Sequence, residues 1–182
     1  MTVKATDGYG NVATATFTVT VQDTTPPTIV APNITLEATG PGGAIATYSP
    51  TITDAVGVAT VTYTISSGSL FAIGTTNVTI TATDRYGNVA TKTFTVTIRD
   101  TTPPTITSIP TNIIATTSSS SGVVVTYAPA TATDLVTLSP TITYNYPSGT
   151  KFPVGTTTVI VTATDAAGNK TTKTFTVTVV KH

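Results

Sequence analysis

The sequence has no cysteine and no tryptophan among its 182 residues, and its one histidine, His182, is the last residue. Disulfides and thiolate metal sites are thereby excluded, and cysteine usage says nothing of redox compartment. Glutamate occurs once, as Glu37; a single His and a single Glu leave little for acid–base or triad chemistry, so no enzyme is expected. Charged residues make up 9% of the chain, against a usual figure of about 25%. Eight basic and eight acidic residues cancel, which predicts no nucleic-acid partner and no anionic-membrane binding, since both need clustered Lys or Arg. Apolar runs are as short as Val123-Val124-Val125, so no transmembrane segment is expected in this stretch. No basic-then-apolar start follows Met1, so no signal peptide is expected in it either.

What is present instead is threonine, 50 residues of it, with 39% hydrophobic residues, many of the β-branched and aromatic kinds that suit a pleated, half-buried surface. The sequence also repeats. ATDGYGNVATATFTVTVQDTTPP (5–27) matches ATDRYGNVATKTFTVTIRDTTPP (82–104) at an offset of 77, and ATDAAGNKTTKTFTVTVV (163–180) is a third copy. SGSLFAIGTTNVTITATD (67–84) returns as SGTKFPVGTTTVIVTATD (148–165). A unit of roughly 80 residues is too long for a solenoid repeat and suits a bead-like domain. The expected division is a C-terminal hairpin of an incomplete repeat (1–22) followed by two full repeats, 23–100 and 101–182. Asp-Thr-Thr-Pro-Pro marks the joints at 23–27 and 100–104, where two prolines fix φ and favour a short, stiff connection.

Within each unit the hydrophobic period is two. Val78, Ile80 and Ala82 alternate with Thr79, Thr81 and Thr83; Phe94, Val96 and Ile98 alternate with threonines on the next strand, as do Phe175, Val177 and Val179. That is the pattern of antiparallel sheets with one face in a core and one in water. Further strands are expected at 34–38, 44–53, 59–65 and 69–72. About seven short strands per unit predict an all-β protein, tandem immunoglobulin-like β-sandwiches in a bead-like array. FPVGTTTV followed by TATDAAGN and TKTFTVTV, after an Asp-Thr-Thr-Pro-Pro joint, closely resembles the hyalin repeat (HYR) family. The resemblance implies immunoglobulin-like modules of extracellular and cell-surface proteins, often in tandem, with adhesive or structural roles and no catalytic residues. Many members carry a Cys pair that this chain lacks.

Strand parity brings the head of each domain, its B–C loop and its F–G loop to one pole. Asp23, Asp54 and Asp84 fall at these places in the first full repeat, and Asp100, Asp134 and Asp165 in the second. Asp7 opens the corresponding turn of the leading fragment, and only Glu37 stands outside the scheme. Ca²⁺ takes about six to eight oxygens, which three aspartates, Asn88 or Asn169, and nearby carbonyls supply in this reading. The competing reading is hairpin chemistry, in which Asp at a turn start bonds its own backbone; it covers Asp84 and Asp165 well and the other four less well.

Asn33, Asn77 and Asn169 head N-glycosylation sequons, a triplet that arises easily among so many threonines. Tyr48, Tyr63, Tyr127 and Tyr144 are expected to be core or edge aromatics, with Tyr9 and Tyr86 exposed at turn tips. Lys4, Lys92 and Lys173 lack an evident buried acid with which to form an isopeptide cross-link. The expected function is a non-catalytic structural or adhesive stalk, its joints stiffened by calcium. Two alternatives stand beside it. One is an extracellular filament subunit, self-assembling through residues 1–22 with other repeats of the same or neighbouring chains; the other is an accessory domain of a secreted glycan-active enzyme. The filament reading rests on the leading hairpin, whose inward residues have no facing layer and whose edges are open.

Overall fold

The computed structural model describes residues 1–182, built from strands and turns without a helix. The chain divides into two compact units, Met1–Ala31 with Pro50–Thr64 and Thr79–Lys92, and Pro32–Ser49 with Ile65–Val78 and Thr93–His182. Strands β9 (Gly74–Asp84) and β10 (Val89–Arg99) contribute to both.

In the first unit β1 (Thr2–Thr6) pairs antiparallel with β2 (Val12–Thr16). Strand β3 (Thr28–Val30) pairs with β6 (Thr51–Thr53), and β7 (Val58–Tyr63) with the last residues of β9. From the sequence the second hairpin strand runs to Val21; here it stops at Thr16, with a last bond from Phe17 N to Met1 O at 3.0 Å. The reason is a missing neighbour. In each full repeat the corresponding stretch is held by a parallel strand, and residues 17–21 have none. Val3, Phe17 and Val19 are 54%, 48% and 64% exposed, as hairpin side chains without an opposite layer must be.

In the second unit β4 (Ile34–Glu37) pairs parallel with the end of β10, and β5 (Ala44–Ala46) antiparallel with β8 (Ser69–Phe71). The rest is a complete sandwich made by β11 (Thr105–Ser108), β12 (Ile113–Thr117), β13 (Val123–Val125), β14 (Thr131–Thr133), β15 (Thr141–Tyr144), β16 (Thr150–Phe152), β17 (Gly155–Thr164) and β18 (Lys170–Lys181). One layer has the order β12-β18-β17-β15, and the pairs β11-β14 and β13-β16 form the other. Val159, Val161 and Ala163 of β17 and Phe175, Val177 and Val179 of β18 meet Ile106, Val125 and Phe152 across the interior. Each such Val or Phe, fully buried, stabilises by about 1.5–3 kcal/mol. Tyr127 packs edge-on against Phe175 with centroids 5.0 Å apart and donates its hydroxyl to Tyr146 O. Tyr48 repeats the arrangement with Phe94 at 5.1 Å and with Ile65 O.

Each repeat holds eight strands, β3–β10 and β11–β18, where the pattern suggests seven. The expected strand at 44–53 is two strands, because the chain changes partners between them. Ala44–Ala46 bonds β8 and Thr51–Thr53 bonds β3; Pro50, which has no N–H to give a ladder, stands just before the new pairing.

Candidate metal centres at the Asp-Thr-Thr-Pro-Pro joints

The same two-residue alternation that builds the core delivers the acids. Val78, Ile80 and Ala82 are buried on β9, and the next inward position is Asp84, 2% exposed. Val159, Val161 and Ala163 lead likewise to Asp165, and Phe94, Val96 and Ile98 to Asp100, which are 7% and 8% exposed. These three aspartates are the buried charged residues of the chain. A carboxylate so far out of water is costly unless it is hydrogen-bonded, paired with a cation or bound to a metal.

Backbone N–H groups bond one oxygen of each. Asp84 Oδ1 accepts from Tyr86 N and Asn88 N, both at 2.8 Å, and Asp165 Oδ1 accepts from Asn169 N at 2.8 Å. Asp54 Oδ1 accepts from Val56 N (2.9 Å) and Gly57 N (3.0 Å), and Asp134 Oδ1 from Val136 N (2.8 Å) and Thr137 N (2.6 Å). Asp23 Oδ1 accepts from Thr25 N at 3.1 Å and Asp100 Oδ1 from Thr102 N at 3.3 Å. Turn chemistry therefore reaches all six, including the four for which the sequence offers least reason to expect it. It leaves the buried second oxygens of Asp23 and Asp100 without a partner.

Asp23, Asp54 and Asp84 converge so that one oxygen of each lies within 4.8 Å of the others. Burial pushes Asp84 up, but hydrogen bonds from the Asn88 side chain and from the Asn88 and Tyr86 backbone outweigh it and hold its carboxyl below the usual range. In the second repeat burial raises Asp100; the Thr102 N–H opposes, and the charges of Asp134, Asp165 and Glu37 push the same way as burial. The first group thus holds three converging carboxylates with an unsatisfied oxygen among them, a donor set of hard oxygens that suits calcium; Asp100, Asp134 and Asp165 share the unsatisfied oxygen but are not drawn together within the same 4.8 Å.

Asn88 turns its amide nitrogen toward the acids, donating to Asp84 Oδ2 at 2.6 Å and to Asp23 O at 3.2 Å. Asn169 does the same to Asp165 Oδ2 (2.8 Å) and Asp100 O (3.1 Å). Both asparagines brace the cluster and tie the F–G turn to the linker backbone. A glycan on Asn169 Nδ2 would replace those bonds. Pro27 and Pro104, the second prolines of the two joints, are buried.

Glu37, which the sequence leaves unexplained, has a defined place. Its Oε1 accepts from Thr101 N (2.7 Å) and Thr102 Oγ1 (2.9 Å), and its Oε2 from Thr101 Oγ1 (2.8 Å). The Thr101 N–H, then the Thr101 hydroxyl, hold this carboxyl below the usual range. No sequence signal other than its being the sole glutamate marks it out.

Residues 22–98 and 99–179 each match the HYR domain family. The chain is 42% identical over 188 residues to hyalin of Lytechinus variegatus, covering 97% of this chain and 35% of that protein. It is 38% identical over 187 residues to hyalin of Strongylocentrotus purpuratus, covering 97% of this chain and 16% of that protein. It thus spans about a third and about a sixth of these two relatives. Among solved structures it is similar to the protocadherin gammaB7 EC3-6 cis-dimer (14% identity, TM-score 0.40, 98% of this chain and 57% of that one). It is also similar to protocadherin gamma B2 extracellular cadherin domains 1-5 (14% identity, TM-score 0.41, 100% and 45%).

Proposed function

The chain belongs to the HYR domain family, a family of non-catalytic, adhesion-type extracellular and cell-surface modules, and from that premise we propose that it is a structural module whose joints are stiffened by calcium. Its working boundaries are a hairpin at 1–22 and repeats at 23–100 and 101–182. The observation that carries the reading is the convergence of Asp23, Asp54 and Asp84 within 4.8 Å around a buried Asp23 oxygen that has no partner. Three carboxylates held that close repel one another, and a divalent cation turns the repulsion into attraction. Asp100, Asp134 and Asp165 form the second centre, with Asn88 and Asn169 bracing the two.

Stiffening follows from where the ligands sit. Asp23 and Asp100 open the linkers, Asp54 and Asp134 follow β6 and β14, and Asp84 and Asp165 stand at the F–G turns. A cation shared by three segments that meet only at their ends raises the cost of pulling them apart. Binding to the folded state alone stabilises by about 2.7 kcal/mol at one hundred times Kd. Calorimetric titration of metal-stripped protein with CaCl₂, joined to melting curves, is the test: two sites per chain and a rise in Tm are expected. No binding tighter than millimolar would end the calcium reading.

A further inference from the structure

We infer that each repeat is built to carry tension along the chain, and that the parallel pairs β4–β10 and β12–β18 are the elements that bear it. This rests on the structural-module reading above and needs no calcium. A repeat pulled through its two joints is loaded at both ends of its chain. Load reaches β4 and β12 from their N-terminal side, by way of β3 and β11, and leaves β10 and β18 from their C-terminal side. In each pair the two strands run the same way, so the opposed pulls slide one strand along the other. Every rung then resists at once. Strands pulled apart from a shared end yield one rung at a time.

Both ladders are extended where load enters and leaves. Ile34–Glu37 lies along Val96–Arg99, and Ile113–Thr117 along Val177–Lys181. Ahead of the first rung an asparagine side chain continues each ladder: Asn33 Oδ1 accepts from Thr95 N and Asn112 Oδ1 from Thr176 N, both at 2.9 Å. Past the last rung Ala38 N donates to Arg99 O at 2.7 Å, and His182 N to Thr117 O at 3.0 Å. In the first repeat Glu37 reaches further, accepting from Thr101 N, Thr101 Oγ1 and Thr102 Oγ1 at 2.7, 2.8 and 2.9 Å. Those threonines lie in the joint through which tension passes to the next repeat. Hydrogen bonds to an ionised acceptor are roughly twice as strong as neutral ones, so Glu37 fastens the exit of the first repeat. The antiparallel pairs on the entry side are slighter. β3–β6 has three rungs, and β11–β14 has three interrupted by a bulge. They give way first and hand the load to the parallel pairs.

The chain has no cysteine, so pairs of introduced cysteines give unique handles for single-molecule pulling of the full 182-residue chain, here in chelator. Ser108→Cys with His182→Cys loads β12 and β18 from opposite ends. Ser118→Cys with His182→Cys loads both from the same end and peels them. All three positions are exposed. The first geometry should rupture at a severalfold higher force than the second, and equal forces overturn the proposal. Should a variant of the second repeat fail to fold, the first repeat gives the same comparison, Val30→Cys against Pro41→Cys, each with Thr105→Cys. With the Val30 and Thr105 handles at constant force, Glu37→Ala should raise the unfolding rate at least about tenfold, the effect of losing several hydrogen bonds from the barrier. An unchanged rate overturns the part given to Glu37. Because every measurement is made in chelator, equal rupture forces leave the calcium reading intact, and a failed calcium titration leaves this proposal intact.

Discussion

At the scale of single residues, the aspartates divide their work between two oxygens. Oδ1 fixes the side chain by accepting from backbone N–H groups of its own turn, and in Asp23 and Asp100 the other oxygen is left inward and unpaired. A turn alone needs only the first. Glycines show a similar division between conformation and space. Gly122 has φ +90°, and a Cβ there would sit 1.9 Å from Phe152 O; Gly87 has the same φ of +90° with nothing within 4 Å. Gly87→Ala should therefore cost only the left-handed backbone penalty, about 1–2 kcal/mol. Gly122→Ala must in addition push strand β16 away and should cost about 2–4 kcal/mol. Urea denaturation of the two variants checks the order; equal losses would mean that the close approach of Gly122 to β16 is without energetic consequence.

At the scale of elements, pairing partners decide where a strand ends. The stretch Phe17–Val21 keeps the alternating pattern of β10 and β18 but has no parallel neighbour, and its strand stops at Thr16. The β1–β2 hairpin depends correspondingly on its turn. Asp7 Oδ1 accepts from Tyr9 N (2.9 Å) and Asn11 N (2.8 Å), and Oδ2 from Asn11 Nδ2 (2.8 Å). The Asn11 side chain, then its backbone, hold the Asp7 carboxyl below the usual range. A carboxylate with a lowered folded value contributes stability above its unfolded value and loses it as pH falls through the folded one. Hydrogen exchange of the Asn11 amide should accordingly quicken, relative to its intrinsic rate, on acidification below the ordinary carboxylate range. Asp7→Asn should flatten that pH dependence, and an Asp7→Asn profile identical to wild type would refute the assignment.

At the scale of the whole molecule, the proposed calcium reading puts one centre in each of two repeats, so that the centres can be removed one at a time. Asp54→Asn should reduce calcium stoichiometry from two per chain to one, Asp134→Asn should do the same, and the double variant should bind none. Calorimetry reads this directly. Chelator should leave all four proteins with similar melting temperatures, because the hydrophobic core does not involve these loops, and the calcium-dependent rise in Tm should shrink with each lost site. A double variant that still binds two ions would place calcium elsewhere.

The sequence by itself determined the period of two, the repeat and therefore the sandwich, because alternation of Val, Ile and Phe with Thr leaves one consistent way to bury the apolar face. It placed Asp84, Asp100 and Asp165 at a turn or joint, while their burial as the next inward positions after Ala82, Ile98 and Ala163 is read from the structure. Loop parity was enough to group Asp54 with Asp23 and Asp84, and the structure brings these three within 4.8 Å. Only the tertiary structure decided the rest. The break at Pro50 depends on β5 and β6 having different partners, and the end of β2 on a neighbour that residues 17–21 lack. The place of Glu37 is set by a parallel pairing between residues 62 apart, Ile34 with Val96. Local pattern says which face a side chain takes; which distant strand lies beside it is fixed by packing of the whole sheet.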